Sequence, residues 1–377
     1  MHLYVHIPFC VRRCSYCDFS IAVRKRIPAR EYVEAILAEA SVDPGPPARG
    51  EPELETLYLG GGTPSLLPAE SLGALLHDLA DPRRRPHAAR LEVTLEANPE
   101  DVTPDNARAW RAAGVNRVSL GAQSFDDRVL QWMHRSHDAA RIGEAVRTLR
   151  GAGIDNISLD LIFALPTALD RDWERDLDAA ISLLPSHISL YGLTVEPRTP
   201  LDRWISRGAV HPADDDRYAD EYLLAHRRLT AEGYQFYEVS NASRPGFRSR
   251  HNSAYWSGAS YVGLGPAAHS FDGRVRRWNL AAWEAYRAAI AAGQSPIESE
   301  EVLTGAQREL ERLYLALRTS EGVPVTVLDR PGATWTALES AGWLTRDGDR
   351  VRCTPTGWLR LDALVAKLFD VKELSLP

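Results

Sequence analysis

The chain has 377 residues, of which 44% are hydrophobic and 25% are charged, and its formal net charge is −7. This is the composition of a folded globular protein, and the length predicts roughly two or three domains. The acidic balance gives no overall support for nucleic-acid binding, and no apolar run approaches the ~20 residues that a membrane span requires. The first residues lack the basic segment and cleavage site of a signal peptide, so we expect a cytoplasmic protein without a transmembrane segment.

Six short apolar runs, rich in β-branched residues and bounded by Gly, Pro or Asn, are predicted to be strands. They cover residues 3–7, 56–59, 91–95, 115–120, 157–163 and 187–190. Amphipathic segments at residues 28–40, 104–113 and 139–152 are predicted to be helices. Alternating strands and helices predict parallel strands joined by right-handed crossovers. The expected fold class is therefore α/β, with a partial (β/α)6 barrel of the TIM type over residues 1–197.

The remaining chain is predicted to form two further regions. A less regular connecting region, residues 198–297, contains a helix start at Asp214 and the segment HNSAYW at residues 251–256. In residues 298–377 we expect helices at 304–319 and 334–341, a hairpin at 342–354 and a final helix at 355–369, which together resemble a mainly helical winged-helix domain. Its charges are mixed, and the basic run RRR at residues 83–85 is predicted to be a solvated loop, so neither feature indicates nucleic-acid binding.

Three of the four cysteines lie together in the first barrel loop, as Cys10, Cys14 and Cys17 in a C-x3-C-x2-C pattern. A disulfide would leave one thiol unpaired, and a zinc site would need a fourth ligand, for which His6 is a candidate. A [4Fe–4S] cluster usually has four cysteine ligands, so three would leave one iron open to a cofactor or substrate. The spacing favours iron–sulfur and leaves zinc, or no metal, as alternatives.

Conspicuous polar or glycine-rich segments follow the predicted strands, always at the same end. They are GGGTP after the second strand, EANP after the third, GAQSF after the fourth, and YGLTVEP after the sixth, while Asp160 lies within the fifth. In a parallel barrel these ends meet at one mouth, where functional loops gather. The sequence therefore predicts a single site at that mouth.

The order of these motifs resembles that of the radical S-adenosylmethionine (SAM) enzymes. The cysteine motif and GGGTP are accompanied, over nearly the whole chain, by YVHIPFC, LYLGGGTPSLL, EANP, GVNRVSLGAQSF, HRSH, LDLIFALP and HNSAYW. These segments are similar to the subfamily that contains the oxygen-independent coproporphyrinogen III oxidase and a related heme chaperone. The resemblance implies a radical SAM barrel, a [4Fe–4S] cluster and SAM, which is cleaved reductively with an electron from a donor.

The resemblance also implies particular residues. Cys10, Cys14 and Cys17 would hold the cluster, and SAM would be bound by Tyr4, Tyr16, Gly61, Gly62, Thr63, Glu96, Gln123, Arg135, Asp160 and Thr194. Backbone N–H groups of the glycine loop are expected to receive the SAM carboxylate. From the residues alone, Arg135 could equally be a surface charge and Glu96 a strand-end acceptor. Asp160, inside an apolar strand, requires a polar cavity or a partner.

Two features separate the oxidase from the chaperone. The oxidase has a further cysteine two residues after the third, where this chain has Phe19, and it has a longer segment before the cluster. HNSAYW fits the HNxxYW pattern associated with heme in the chaperone branch, which implies heme binding by His251, Asn252, Tyr255 and Trp256. From the residues alone, a histidine beside aromatic rings could equally be packing.

The expected function is therefore that of a heme chaperone, which binds heme and transfers it to acceptor hemoproteins, with respiratory proteins as candidates. The alternative is a coproporphyrinogen III oxidase that forms protoporphyrinogen IX. A third hypothesis is a radical SAM enzyme with an unrelated small-molecule substrate. Whether the chain is an enzyme is left open by the sequence.

Overall fold

In a computed structural model of the chain, the described residues are 1–42, 53–81, 87–327 and 333–369. The basic run at residues 83–85 lies outside them. The strands are β1 His2–Ile7, β2 Phe9–Cys10, β3 Ala22–Val23, β4 Leu54–Gly61, β5 His87–Ala97, β6 Arg117–Gln123, β7 Asn156–Phe163, β8 His187–Gly192, β9 Gln235–Glu238, β10 Asn241–Ser243, β11 Tyr261–Leu264, β12 His269–Phe271, β13 Val275–Asn279, β14 Ile297–Val302, β15 Val323–Pro324, β16 Leu344–Asp347 and β17 Arg350–Cys353.

The α-helices are α1 Ala29–Val42, α2 Ala69–Leu79, α3 Pro104–Ala112, α4 Asp127–Trp132, α5 Ala139–Gly151, α6 Trp173–Ser182, α7 Pro200–Ser206, α8 Asp215–Ala231, α9 Arg250–Trp256, α10 Trp283–Ala291, α11 Gly305–Arg318, α12 Ala333–Ser340, α13 Pro355–Trp358 and α14 Leu361–Phe369. Short 3-10 helices cover Pro64–Leu66, Pro99–Asp101, Thr167–Leu169 and Val325–Val327. No helix among the described residues combines the length and the apolar character needed to cross a bilayer.

The six predicted strands are confirmed as β1, β4, β5, β6, β7 and β8, which lie side by side in that order and are all parallel. The order follows the chain because each strand returns through a helical crossover on the outside of the sheet. In the first pair, His6 and Ile7 lie opposite Gly60 and Gly61. This register places the cysteine loop beside the glycine loop, as the mouth hypothesis requires.

The sheet continues beyond the predicted barrel on both sides. β11 adds a parallel strand next to β1, and β10 adds an antiparallel strand next to β8. Within the described residues, further antiparallel strands extend the sheet to twelve, with β14 and β9 at its two ends, so the barrel they form is partial rather than closed. Because β14 belongs to this sheet, the main sheet runs past residue 297, where the sequence predicts a boundary.

Alternation along the barrel strands separates an apolar outer face from a polar lumen. Leu3, Val5 and Ile7 are buried in the main hydrophobic core, whereas His2 and His6 form hydrogen bonds inside the sheet. The lumen side of the other strands carries Thr56, Tyr58, Glu92, Thr94, Glu96, Arg117, Ser119, Ser158, Asp160, His187 and Ser189. A polar lumen is unusual for a packed core and points to function inside the barrel.

The C-terminal region combines α11, α12 and α14 with a three-stranded sheet in the order β15-β17-β16. The predicted hairpin is confirmed, but the single helix predicted over residues 355–369 is wrong. It divides into α13 and α14 because the buried Trp358 indole donates to the Leu317 carbonyl at 3.1 Å, and Arg360 N–H closes a short turn onto Gly357. The described helices and hairpin retain the order of a winged-helix unit.

Candidate cofactor site at the barrel mouth

A cavity of about 340 Å³ opens at the carboxyl ends of the barrel strands. Its wall contains all three clustered cysteines and nine of the ten residues predicted to bind SAM. The members of this combined set are Cys10, Cys14, Tyr16, Cys17, Gly61, Gly62, Thr63, Glu96, Gln123, Arg135, Asp160 and Thr194. The loops of six different strands thus meet at one site, as the sequence predicts.

The cysteine loop is held in place by backbone pairing. β2 pairs with β3 in parallel, and the N–H of Ser15 donates to the carbonyl of Met133 at 3.3 Å. Cys10 is buried with its Sγ 3.3 Å from the Thr63 hydroxyl, while Cys14 and Cys17 are half-buried. None of the cysteines forms a disulfide. The loop therefore presents three free thiols to the same cavity.

This donor set fits an iron–sulfur cluster better than a zinc ion. Among the described residues, no three His, Cys, Asp or Glu side chains converge closely enough to hold a single metal ion. His6, the candidate fourth zinc ligand, donates from Nε2 to the Ser20 carbonyl at 3.0 Å, and its Nδ1 lies 3.2 Å from the Tyr4 hydroxyl. A cluster is larger than one ion, so its three thiolates need not meet at a point.

Burial raises the pKa of the Cys10 thiol, and it raises the pKa of Cys17 to about 11. Both thiols are therefore protonated at neutral pH in the metal-free protein. Metal centres bind thiolates, so loading the site displaces these protons.

The glycine loop approaches the cysteine strand too closely for side chains. Gly61 has φ +117°, and a Cβ there would lie 2.8 Å from the His6 ring. A Cβ on Gly62 would lie 2.8 Å from the Pro8 backbone. These contacts explain why the turn contains consecutive glycines.

The prediction that N–H groups of this loop receive the SAM carboxylate is wrong. The N–H of Gly61 donates to Glu96, that of Gly62 to the Ile7 carbonyl at 2.8 Å, and that of Thr63 to the Phe9 carbonyl at 2.9 Å. The Gly62 and Thr63 donors join the glycine loop to the cysteine strand, and the Gly61 donor holds Glu96. The loop can instead offer carbonyl oxygens and the Thr63 hydroxyl, which suit an ammonium group.

Two half-buried carboxylates lie at the cavity floor. Glu96 accepts from the Tyr58 hydroxyl at 2.8 Å and from the Gly61 N–H at 3.0 Å. Asp160 accepts from the Ser119 hydroxyl at 3.0 Å and from the Ser158 hydroxyl at 3.2 Å. Burial raises the pKa of both groups, that of Glu96 to about 7. Each carboxylate is held in a fixed position and can pair with a cation in the cavity.

Arg135 is a site residue and not a surface charge. Its guanidinium donates to the Asn98 side chain at 2.6 Å, to the Gly121 carbonyl at 2.9 Å and toward Cys14 Sγ at 3.7 Å. It is preceded by His134, which has φ +59°. Left-handed backbone outside glycine is uncommon and gathers at functional sites. The cation lies where it can receive the carboxylate of a ligand.

Gln123 also has a left-handed backbone, with φ +67°, at the end of β6. Thr194 lies on the opposite cavity wall and is exposed, with its hydroxyl 3.4 Å from the Gly192 carbonyl. Tyr4 is the predicted residue that the cavity wall does not include. Its ring stacks on Tyr58 at 6.0 Å between centroids, beneath the floor, and burial together with the nearby charge of Glu96 raises the pKa of its phenol.

The sequence interpretation missed several residues of the cavity. Asn98 and Glu100 line it, and Glu100 Oε2 lies 3.1 Å from His137 Nδ1. Burial opposes ionisation of Glu100, but the hydrogen bond from His137 and the charge of Arg135 outweigh it and lower its pKa to about 2. These residues could have been found from the sequence, because the motif EANP contains Asn98 and the motif HRSH contains His137.

HNSAYW lies in helix α9, at the end of the lumen away from the cysteines. The Glu92 carboxylate accepts from the N–H groups of Arg250 and His251, both at 3.1 Å. His251 is 1% exposed, with Nδ1 2.7 Å from the Thr56 hydroxyl and Nε2 2.9 Å from the Tyr255 hydroxyl. Burial lowers its pKa to about 3. The imidazole is therefore neutral, but neither nitrogen is free for a ligand in this conformation.

The other motif residues are also engaged in packing. The Tyr255 ring meets Tyr261 edge-on at 4.6 Å, and the Arg318 guanidinium lies over the Trp256 ring at 4.5 Å. Asn252 is half-buried in the first turn of the helix, which Ser249 caps. The structure keeps these residues together but does not join them to the mouth cavity, and their role in heme binding stays a prediction.

Known proteins are similar to this chain in sequence and in fold. The model of the radical SAM superfamily matches residues 4–180. The heme chaperone HemW of Mycobacterium tuberculosis is 38% identical over 373 residues, covering 97% of this chain and 94% of the relative. HemW of Escherichia coli is 40% identical over 282 residues, covering 74% and 72%. The solved structure of coproporphyrinogen III oxidase (HemN) from Escherichia coli has a TM-score of 0.80 and 21% identity, covering 97% of this chain and 89% of that chain.

The identity to HemN supports likeness of fold alone. A three-cysteine loop beside a glycine loop, at the mouth of a partial barrel, defines the chain as a radical SAM protein. The identity and coverage shared with the bacterial relatives are more specific, and the chain belongs to the HemW family of radical SAM proteins.

Proposed function

We propose that this protein is a heme chaperone, which binds heme and transfers it to acceptor hemoproteins in the cytoplasm. The observation that carries the proposal is the identity, along nearly its whole length, to relatives named as heme chaperones. Membership in the family also implies SAM and a [4Fe–4S] cluster.

The cavity residues fit these two cofactors. Cys10, Cys14 and Cys17 would hold the cluster, Glu96 and the carbonyls of the glycine loop would receive the SAM ammonium, and Arg135 would receive its carboxylate. When bound, the cluster supplies an electron for the cleavage of SAM, so an electron donor is a further partner. The protein's own contribution is to orient SAM against the open side of the cluster.

The rival function is oxidative decarboxylation of coproporphyrinogen III. At the position of the oxidase's extra cysteine, Phe19 is 62% exposed on the cavity wall and offers no thiol. We expect cluster-loaded protein, incubated anaerobically with SAM, a reductant and coproporphyrinogen III, to form no protoporphyrinogen IX above a control lacking SAM. Formation of that product at many turnovers would replace the chaperone proposal with the oxidase.

Heme ligation by His251 is a separate part of the proposal. It requires that one imidazole nitrogen give up its hydrogen bond, either Nδ1 to Thr56 or Nε2 to Tyr255, and that heme reach a side chain that is 1% exposed. His187 provides a matched control, because it is fully buried and its nitrogens lie 2.8 Å from Ser158 and Tyr237 hydroxyls.

We expect His251→Gln to weaken heme binding in an absorbance titration and His187→Gln to leave it unchanged. Glutamine can replace much of the hydrogen bonding but not the imidazole ligand. Equal heme affinity in both variants and the wild type would place heme elsewhere while leaving the chaperone function intact.

A further inference from the structure

Arg117 is a buried cation below the floor of the cavity. It lies at the start of β6, is 1% exposed and has no ion pair among the described residues. Its Nε and Nη1 have no hydrogen-bond partner within the described part of the chain. A buried guanidinium is costly unless charge or hydrogen bonds compensate it. The position therefore requires an explanation.

Charged and polar groups near Arg117 compensate its positive charge without contacting it directly. Its charge acts on Glu96 and Asp160 at the cavity floor, and on His187 and His251 deeper in the lumen. In the pairing of β5 with β6, Arg117 lies opposite Thr94 and Ser119 lies opposite Glu96, so Arg117 occupies the lumen position one layer below Glu96. Ser119 in turn donates to Asp160 at 3.0 Å.

The space between the guanidinium and the carboxylates is polar. Thr94 lies opposite Arg117 in the pairing of β5 with β6, is fully buried, and its hydroxyl also lacks a partner among the described residues. Buried polar groups of this kind are normally satisfied by internal water.

We propose that Arg117 is a positioning residue of the SAM site, whose fixed positive charge in the lumen layer below Glu96 and Asp160 holds these two carboxylates ready to receive the cationic end of SAM. The proposal rests on the SAM binding contained in the proposed function. Arg117 touches neither cofactor and acts through the two carboxylates.

The pKa of the Glu96 carboxyl is the quantity through which Arg117 can be tested. The groups that face it are Tyr58 and Tyr4 from the neighbouring strands, Asp160 from β7, Tyr191 from β8, Tyr255 from α9, and Arg117. Burial raises the pKa of Glu96 to about 7, the negative charge of Asp160 acts in the same direction, and Arg117 opposes both. Removal of the positive charge must therefore raise the pKa further, so a higher pH is needed to ionise the carboxylate.

The test is the pH dependence of SAM affinity, measured anaerobically by calorimetry on the cluster-loaded, unreduced protein between pH 5.5 and 9. In the wild type, affinity should fall as the pH drops through about 7. Arg117→Met should move this midpoint upward by about one pH unit and weaken binding below the midpoint about tenfold. Arg117→Lys, which keeps the charge, should restore most of the wild-type profile.

Thr94→Val is the matched control, because it changes the same part of the lumen without removing charge. It should leave the midpoint in place. Should Arg117→Met fail to fold, Arg117→Gln keeps donors for internal water while removing the charge, and the same upward shift is expected. An unmoved midpoint in the neutral variants, or an equal shift in Thr94→Val, would overturn the inference. Absence of SAM binding by the wild type at every pH would instead contradict the proposed function.

Discussion

The two ends of the barrel lumen differ in how accessible their side chains are. At the mouth, Cys14 and Cys17 are half-buried, and the side chains of Glu96 and Arg135 face a cavity. At the opposite end, His251 is closed in by Thr56, Tyr255 and the stacked Tyr58 ring, 4.9 Å away between centroids. Both ends carry motifs of similar length and specificity in the sequence.

This contrast shows that a motif's residue types do not reveal whether its side chains are available. The mouth residues lie at the carboxyl ends of strands and on the loops that follow them, where backbone pairing fixes the chain and the side chains stay accessible. The HNSAYW residues lie on a helix whose histidine is hydrogen-bonded at both ring nitrogens. The two ends are nevertheless connected, because His251 stacks on Tyr58 and Tyr58 donates to Glu96.

The largest expected effect is at the mouth. Replacing Cys10, Cys14 or Cys17 with serine should abolish the visible absorbance of the iron–sulfur cluster, because each thiol supplies one of three ligands. Cys353→Ser is the control, since this thiol is buried in the C-terminal region and should leave the cluster intact. Unchanged absorbance in a variant of the motif, or a colourless wild type that holds zinc, would show that the cluster assignment is wrong.

At the closed end we expect an effect on folding. His251→Ala removes a buried ring and its hydrogen bonds to the Thr56 and Tyr255 hydroxyls, of which Thr56 retains only His2 among the described residues, so the free energy of unfolding should fall by about 3 kcal/mol. Thr194→Ala, at the exposed mouth, should change it by less than about 0.5 kcal/mol. Urea denaturation of the metal-free protein measures both. A negligible loss in His251→Ala would indicate that α9 is not firmly closed against the barrel.

A smaller effect distinguishes the chemistry of the thiols. Because burial raises the pKa of Cys17 to about 11, its alkylation by iodoacetamide in the metal-free protein should be slow at pH 7. The rate should rise about tenfold per pH unit up to pH 10, since only the thiolate reacts. Mass spectrometry resolves the labelled cysteine. A plateau in the labelling rate at or below pH 8.5 would show that the thiol is not shielded.

Much of the barrel could be predicted from the sequence, because β-branched runs and amphipathic helices alternate regularly through residue 190. The site at the mouth could also be predicted, since parallel strands place the segments after their carboxyl ends together. The added strands β11 and β10 could not, because short strands from a less regular region carry little periodicity and depend on tertiary pairing.

The details that were missed depend on hydrogen bonding across the fold. The N–H groups of Gly61 and Gly62 are already hydrogen-bonded to Glu96 and to the Ile7 carbonyl, and nothing in GGGTP indicates which donors remain free. Burial of His251 could not be predicted either, because its partner Thr56 lies 195 residues away in the chain. Asn98 and His137 could have been identified from the motifs that contain them.

The most direct test of the central claim is an anaerobic heme titration of the cluster-loaded protein, with and without SAM, followed by mixing with an apo-hemoprotein. The heme-chaperone proposal predicts saturable heme binding and transfer of the bound heme to the acceptor. Heme absorbance that increases without saturation, or heme that stays with the chain in the presence of the acceptor, would contradict it.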